Sequence, residues 1–173
     1  MVHEVIRVGR LSLTKSLPEH AEQVADNMRK ADVRECYIHH LSPLEALTEP
    51  FAIDGSVTYT VKLDKTPIGM CGTVPTKANK ARVWLLGTDS ITNNFRPFLR
   101  GCRPTIELLQ ATYYSIENYV PADHHDTIMW LAWCGFTFDE HLYEIQGHTF
   151  MRFVRCALDK NNGIGELSRP VMH

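Results

Sequence analysis

The chain has 173 residues, an apolar fraction of 44% and a formal net charge of −2. That balance supports one folded domain with a real core, and it excludes a disordered chain or one that grips nucleic acid by bulk charge. No apolar run approaches the ~20 residues of a membrane helix, and residues 1–10 mix Glu4, Arg7 and Arg10 with apolar positions, unlike a secretory leader, so a cytosolic protein is expected.

Residues 5–13 alternate loosely and predict a first strand. Ser16 suits the cap of a helix with Pro18 and Glu19 in its first turn and Ala21, Val24, Ala25 and Met28 as its stripe. That helix ends near Asp32, or a second short helix reaches His39. Ser42-Pro43-Leu44-Glu45 supplies a cap, a first-position proline and a third-position glutamate, so another helix starts there, with Leu44, Leu47 and Phe51 as its apolar face. Residues 56–63 alternate with Val57, Tyr59, Val61 and Leu63 on one side. They predict a strand that turns at 64–67 and pairs antiparallel with 68–74, where Gly69 and Gly72 signal a bulge or close packing. Residues 75–80 read as a polar loop.

The strongest signal follows. Residues 82–86 form a short apolar strand, Gly87-Thr88-Asp89 turn, and Phe95, Phe98, Leu99, Cys102, Ile106, Leu109 and Tyr113 share one helical face. A second strand spans 115–120. Strand, crossover helix and strand make neighbouring parallel strands, a unit of roughly 30 residues or more. Pro104 and the preceding Gly101 leave two options, one kinked helix over 95–114 or two helices meeting at 100–103; the unbroken stripe favours the first. A charged loop at 123–126 can cap a short helix with Ile128, Leu131 and Ala132 on one face and Gly135 at its end. Strands at 136–145 and 149–156 then join at Gln146-Gly147. One domain, 1–158, and a polar tail, 159–173, complete the reading. The five cysteines are widely spaced and read as reduced, mostly buried thiols rather than a zinc site.

Helix, helix, hairpin, strand-helix-strand, a short helix ending in Gly135-Phe136 and two last strands resemble the GNAT (Gcn5-related N-acetyltransferase) fold over about 29–154. The segments Met28-Arg29-Lys30-Ala31-Asp32, Ser42-Pro43-Leu44-Glu45-Ala46-Leu47, Val83-Trp84-Leu85-Leu86-Gly87-Thr88-Asp89, Glu117-Asn118-Tyr119-Val120 and Trp130-Leu131-Ala132-Trp133-Cys134-Gly135-Phe136 resemble the small GNAT-like proteins of tailed bacteriophages, the T7-type gene 13 internal virion protein relatives among them. The resemblance implies an α/β domain whose mixed central sheet has splayed parallel strands, the family's fourth and fifth, with helices on both faces. It implies acetyl-CoA or another acyl-CoA as cofactor. Trp84, Leu85 and Leu86 would line its pantetheine arm, and amides near residues 93–96 would meet the pyrophosphate. Arg96, Arg100 and Arg103 are the available cations, with Gly101 beside them, and Asn118 faces or flanks the same gap. The implied setting is the cytoplasm of an infected bacterium or the virion. The implied partner is a host enzyme or a phage virion protein, with a homodimer as an option and no role for nucleic acid or membrane.

Two departures stand out. The family's phosphate loop is glycine-rich, yet here Asn93-Asn94-Phe95-Arg96-Pro97-Phe98 has no glycine and Pro97 has no amide. The family's general-acid tyrosine, four residues before Gly-Phe, is Leu131, and its asparagine partner position is His124. Acyl transfer to an amine needs a base, for which Asp89, Glu117 and His124 are the candidates. Their plain roles are a turn or cap, a solvated strand end and a surface loop. The arginines are a phosphate grip or an exposed basic face. Cys134 reads as a buried helix residue, and Trp84, Trp130 and Trp133 as core or rim packing. The readings are an acyl-CoA-dependent N-acyltransferase acting on a protein or small amine, or a non-catalytic GNAT-fold interaction protein.

Overall fold

A computed structural model describes residues 3–157; the tail expected at 159–173 lies outside the described residues. One eight-stranded sheet runs in the order β1-β2-β3-β4-β5-β6-β8-β7. Its strands are β1 (Glu4–Val8), β2 (Leu11–Lys15), β3 (Val57–Leu63), β4 (Thr66–Lys77), β5 (Lys80–Gly87), β6 (Ser115–Pro121), β7 (Thr137–Ile145) and β8 (His148–Cys156). The helices are α1 (Pro18–Asp26), α2 (Lys30–Ile38), α3 (Pro43–Thr48), α4 (Asp89–Asn93), α5 (Phe95–Gln110) and α6 (His125–Trp133), and a 3-10 turn covers Glu49–Ala52. Mixed sheet and helices on both faces agree with the expected fold class.

Several elements form for the anticipated reasons. Ser42 accepts from the Glu45 amide at 3.2 Å while the Glu45 carboxylate accepts from the Ser42 amide at 2.8 Å, a reciprocal cap that starts α3. Gln146 and Gly147 both take positive φ, 51° and 76°, as a tight right-twisted hairpin between β7 and β8 requires. The Phe136 amide donates to Leu131 O at the end of α6, with Gly135 at φ +96°. The α5 stripe wins over Pro104. The helix is continuous, with Cys102, Ile106 and Leu109 buried against Ala81, Val83 and Ile116, each aliphatic side chain contributing about 1.5–3 kcal/mol. Thr105 Oγ1 and Cys102 Sγ bond back to Gly101 O at 2.7 Å and Phe98 O at 3.2 Å around the proline. On the other face Ala21, Val24, Cys36 and Leu47 pack on Met70.

Other expectations change. Residues 5–13 are not one strand but the β1–β2 hairpin, reversed at Gly9 with φ +59°. Leu17, not Ser16, precedes α1; the Ser16 hydroxyl is bonded to Thr60 Oγ1 at 2.8 Å, and His20 Nδ1 accepts the Leu17 amide at 3.1 Å. Of the two options for the chain after α1, the second holds: the first helix ends at Asp26 rather than near Asp32, and a separate α2 spans Lys30–Ile38. Residues 75–80 are no loop, since β4 runs to Lys77 and β5 starts at Lys80 around Asn79 at φ 59°. Leu44 and Phe51 are exposed, so Leu47 alone of that face is buried. Between β5 and α5 stands a further short helix, α4, where only a turn was expected.

Candidate active site

The two edges of β5 behave differently. Against β4 it is paired antiparallel from Gly69↔Gly87 to Lys77↔Lys80. Against β6 it is parallel and paired only at Lys80↔Ser115, Ala81↔Ile116 and Arg82↔Glu117. Beyond that point the strands part, and the Asn118 side-chain amide spans the start of the gap, donating to Val83 O at 2.7 Å. The opening passes through the sheet into a cleft of about 640 Å³. Its walls include Trp84, Leu85 and Leu86 of β5, Asn118 and Tyr119 of β6, Phe98 and Gly101 of α5 and Trp130 of α6; Asp32 and Glu35 of α2 and His39 just after it also border the cleft.

No known family profile matches the sequence, and no curated protein matches it. Solved structures do match in three dimensions. An acetyltransferase (GNAT family) from Bacillus anthracis superposes with a TM-score of 0.66 at 10% identity, covering 90% of this chain and 98% of that one. The chain has the GNAT fold. A probable acetyltransferase (GNAT family) from Chromobacterium violaceum gives a TM-score of 0.64 at 12% identity over 87% of this chain and 89% of its own. The ribosomal L7/L12 alpha-N-protein acetyltransferase RimL, solved in complex with Coenzyme A, gives 0.63 at 9% identity over 89% and 98%. At such identities these likenesses establish the fold.

Within this GNAT fold the chain's own residues can be placed. Trp84, Leu85, Leu86, Gly101, Asn118 and His124 all border the cleft. Arg96 and Arg100 are exposed and do not border it. Arg103 is turned to α6, its guanidinium 4.2 Å from the Trp133 ring centroid and donating to Trp133 O at 3.1 Å. Asp89 is exposed in the first turn of α4. The Glu117 carboxylate is held by Arg152, which also pairs with Asp139 at 3.1 Å, on the β6–β8–β7 side of the gap. The structure therefore brings Asn118 and His124 to the cleft and leaves Asp89 and Glu117 outside it.

The cleft has features that fit the long polar-apolar arm of an acyl-CoA. Its lining is largely apolar, and the Trp84 indole N–H is buried without an acceptor among the described residues, a donor whose desolvation costs roughly 1–3 kcal/mol until a ligand carbonyl accepts it. Trp130 Nε1 is likewise without a regular acceptor and lies beside Cys102. At the anion end the fit is thinner. The Phe98 amide is used by Asn94 O at 3.1 Å and Pro97 has none, which leaves the Phe95 and Arg96 amides at the start of α5. Thr88 and Gly87, directly after β5, are already committed: Thr88 N donates to Ile68 O at 2.9 Å and Gly87 N to Asp32 Oδ2 at 2.8 Å.

Leu131, at the position of the family's acid, is buried and apolar. Tyr119 is the only tyrosine bordering the cleft among the described residues, stacked edge-on to Tyr143 at 5.2 Å between centroids. Cys134 is buried, and its hydrogen bond to Cys102 together with desolvation raises its pKa, so it is a protonated packing residue. The same bond lowers the pKa of Cys102, against burial. Among the described residues no cluster of His, Cys, Asp and Glu suits a metal, and no helix is long and apolar enough to cross a membrane. Sequence reasoning missed Glu35 and His39. Glu35 is on α2 and His39 caps its C-terminal end one turn later, on a helix with no clear apolar face to reveal which side points inward.

Proposed function

We propose that the protein is an acyl-CoA-dependent N-acyltransferase acting on a protein or a small amine. The observation that carries this is the gap between β5 and β6 and the cleft it opens through the sheet. A solved structure of the same fold, RimL, is a complex with Coenzyme A, and this supports the choice of ligand. On the sequence segments quoted above we place the protein with the GNAT-like proteins of tailed phages, acting in the cytoplasm of the infected bacterium or carried in the virion. The acyl-CoA would supply an activated thioester. Trp84, Leu85, Leu86 and Asn118 would hold the arm, and the Phe95 and Arg96 amides would meet the phosphates. Trp130 and Leu131, which line the cleft, would shield the thioester from water.

A second reading has its own observation. Leu131 cannot donate a proton, and the α5 entrance lacks the family's glycines. A GNAT scaffold that has lost transfer and binds a host enzyme or a virion protein accounts for both. Thermal shift with acetyl-CoA and Coenzyme A separates the readings. Ligand at 100 times its dissociation constant stabilises the fold by about 2.7 kcal/mol. Stabilisation by both, with thiol release when an amine is added, supports the enzyme. No shift at millimolar ligand contradicts it and favours the scaffold.

A further inference from the structure

We propose that Glu35 is the catalytic base of this site, and that the acceptor amine reaches it through a second cavity on the α2 side. The inference rests on the acyl-transfer reading. The second cavity holds about 490 Å³ between α2, the β6–α6 connection and the β7–β8 turn. Three residues border both it and the main cleft: Ala31, Glu35 and His124. A group at that junction meets a thioester arriving through the sheet on one side and an amine arriving from the other. Of the two titratable residues there, Glu35 is the one that carries a charge opposite to an ammonium ion.

Glu35 also lacks competing engagements. Among the described residues its carboxylate has no hydrogen bond and no ion pair, whereas Asp32, one turn earlier, is held by Arg29 at 2.8 Å and by the Gly87 amide. Burial, and secondarily the Asp32 charge, push the Glu35 pKa up to about 7, against a smaller opposing pull from Arg29. The charged and titratable groups facing this region from other elements are Glu49 of the 3-10 turn, Arg82 of β5, Asp123, His124 and His125 before and at the start of α6, and His148 of β8; Arg29 just before α2, Arg34 on it and His39 just after adjoin it. A base with this pKa is matched to work near neutrality.

The step balances without further reagents. The Glu35 carboxylate takes one proton from the ammonium group. The free amine attacks the thioester carbonyl carbon, the C–N bond forms and the C–S bond breaks. A remaining proton on nitrogen passes to the departing sulfur, giving amide and thiol, and Glu35 returns its proton to solvent.

The test uses the full chain with acetyl-CoA and spermidine as probes. Carbon-detected NMR of labelled glutamate, assigned with Glu35→Gln, reads the carboxyl titration directly. A midpoint near 7 rather than 4.5, displaced downward by spermidine, is expected. Glu35→Gln should keep acetyl-CoA affinity within about threefold, lower kcat/KM at least about a hundredfold and abolish the rise in rate through pH 7, with Glu35→Asp restoring part of it. A midpoint near 4.5, a midpoint that spermidine does not move, a wild-type pH profile in Glu35→Gln, or a pH rise lost in His124→Gln but kept in Glu35→Gln would each overturn the assignment. Wild-type protein that binds no acetyl-CoA would instead sink the acyl-transfer reading itself.

Discussion

The two edges of β5 share one strand and one sequence, yet they do opposite work. The β4 edge is paired along its length and backs onto close packing: a Cβ added at Gly69 would lie 3.4 Å from Leu86 O of β5 and 2.6 Å from Ile91 Cδ1 of α4, and one at Gly72 would collide with the carbonyl oxygen of Val57 where β4 meets β3. The β6 edge gives up its ladder after Arg82↔Glu117 and leaves a cleft. Unpaired strand backbone is costly, so the fold concentrates its ladder on one edge and leaves a cleft at the other, where the proposed ligand would sit. Substitutions on the closed edge should therefore damage the fold, and substitutions at the open edge should alter binding with little effect on folding.

The largest expected effect lies one strand beyond the closed edge, where β4 meets β3. Gly72→Ala forces backbone apart and should destabilise the chain by about 3 kcal/mol, read by denaturant unfolding; an unchanged midpoint would mean that β3 and β4 are less tightly opposed. At the open edge, Trp84→Phe removes a buried donor that has no acceptor. Stability should hold or rise by about 1 kcal/mol, while acetyl-CoA affinity falls several-fold in calorimetry; a loss of stability would show that the indole serves the core instead. Asn118→Ala deletes the bond that spans the start of the gap and should cost about 1 kcal/mol, a smaller loss than at Gly72. Gly101→Ala lies mid-helix, with only Val8 Cγ2, 3.8 Å away, near the new methyl, and should stabilise by roughly 0.5–1 kcal/mol. The smallest effect is a pH slope. Burial, then Lys62, lowers the pKa of His20, which is bonded to Thr60 in the closed half. The unfolded chain binds this proton more readily, so stability is full above pH 6.5 and declines as pH falls towards the folded pKa. His20→Gln should flatten that slope.

The fold was legible where periodicity and punctuation agreed. The stripe from Phe95 to Leu109 outweighed Pro104, and Ser42 to Glu45 and Gln146-Gly147 carried their own geometry. Segments whose structure depends on distant partners were not. The β1–β2 hairpin is held by pairing with β3, and Ser16 forgoes a cap for a hydroxyl of β3. Of the anticipated site residues on the strands, Trp84, Leu85, Leu86 and Asn118 reached the cleft because the parallel crossover sets β5 beside β6, while Glu117 did not, being held by Arg152 of β8. The arginines did not, because a stripe shows which face of α5 is buried but not how far a long side chain at its rim lies from a gap. Glu35 was invisible for a different reason: its environment is made by α6 and the β7–β8 turn, far along the chain.

The indole N–H resonances of the three tryptophans test the central claim most directly, since Trp84 and Trp130 border the cleft and Trp133 sits outside it under Arg103. On titration with Coenzyme A, the Trp84 and Trp130 signals should move and saturate together while Trp133 stays in place. No movement of either cleft indole at millimolar ligand, or movement of Trp133 alone, would contradict a pantetheine arm seated between β5 and β6.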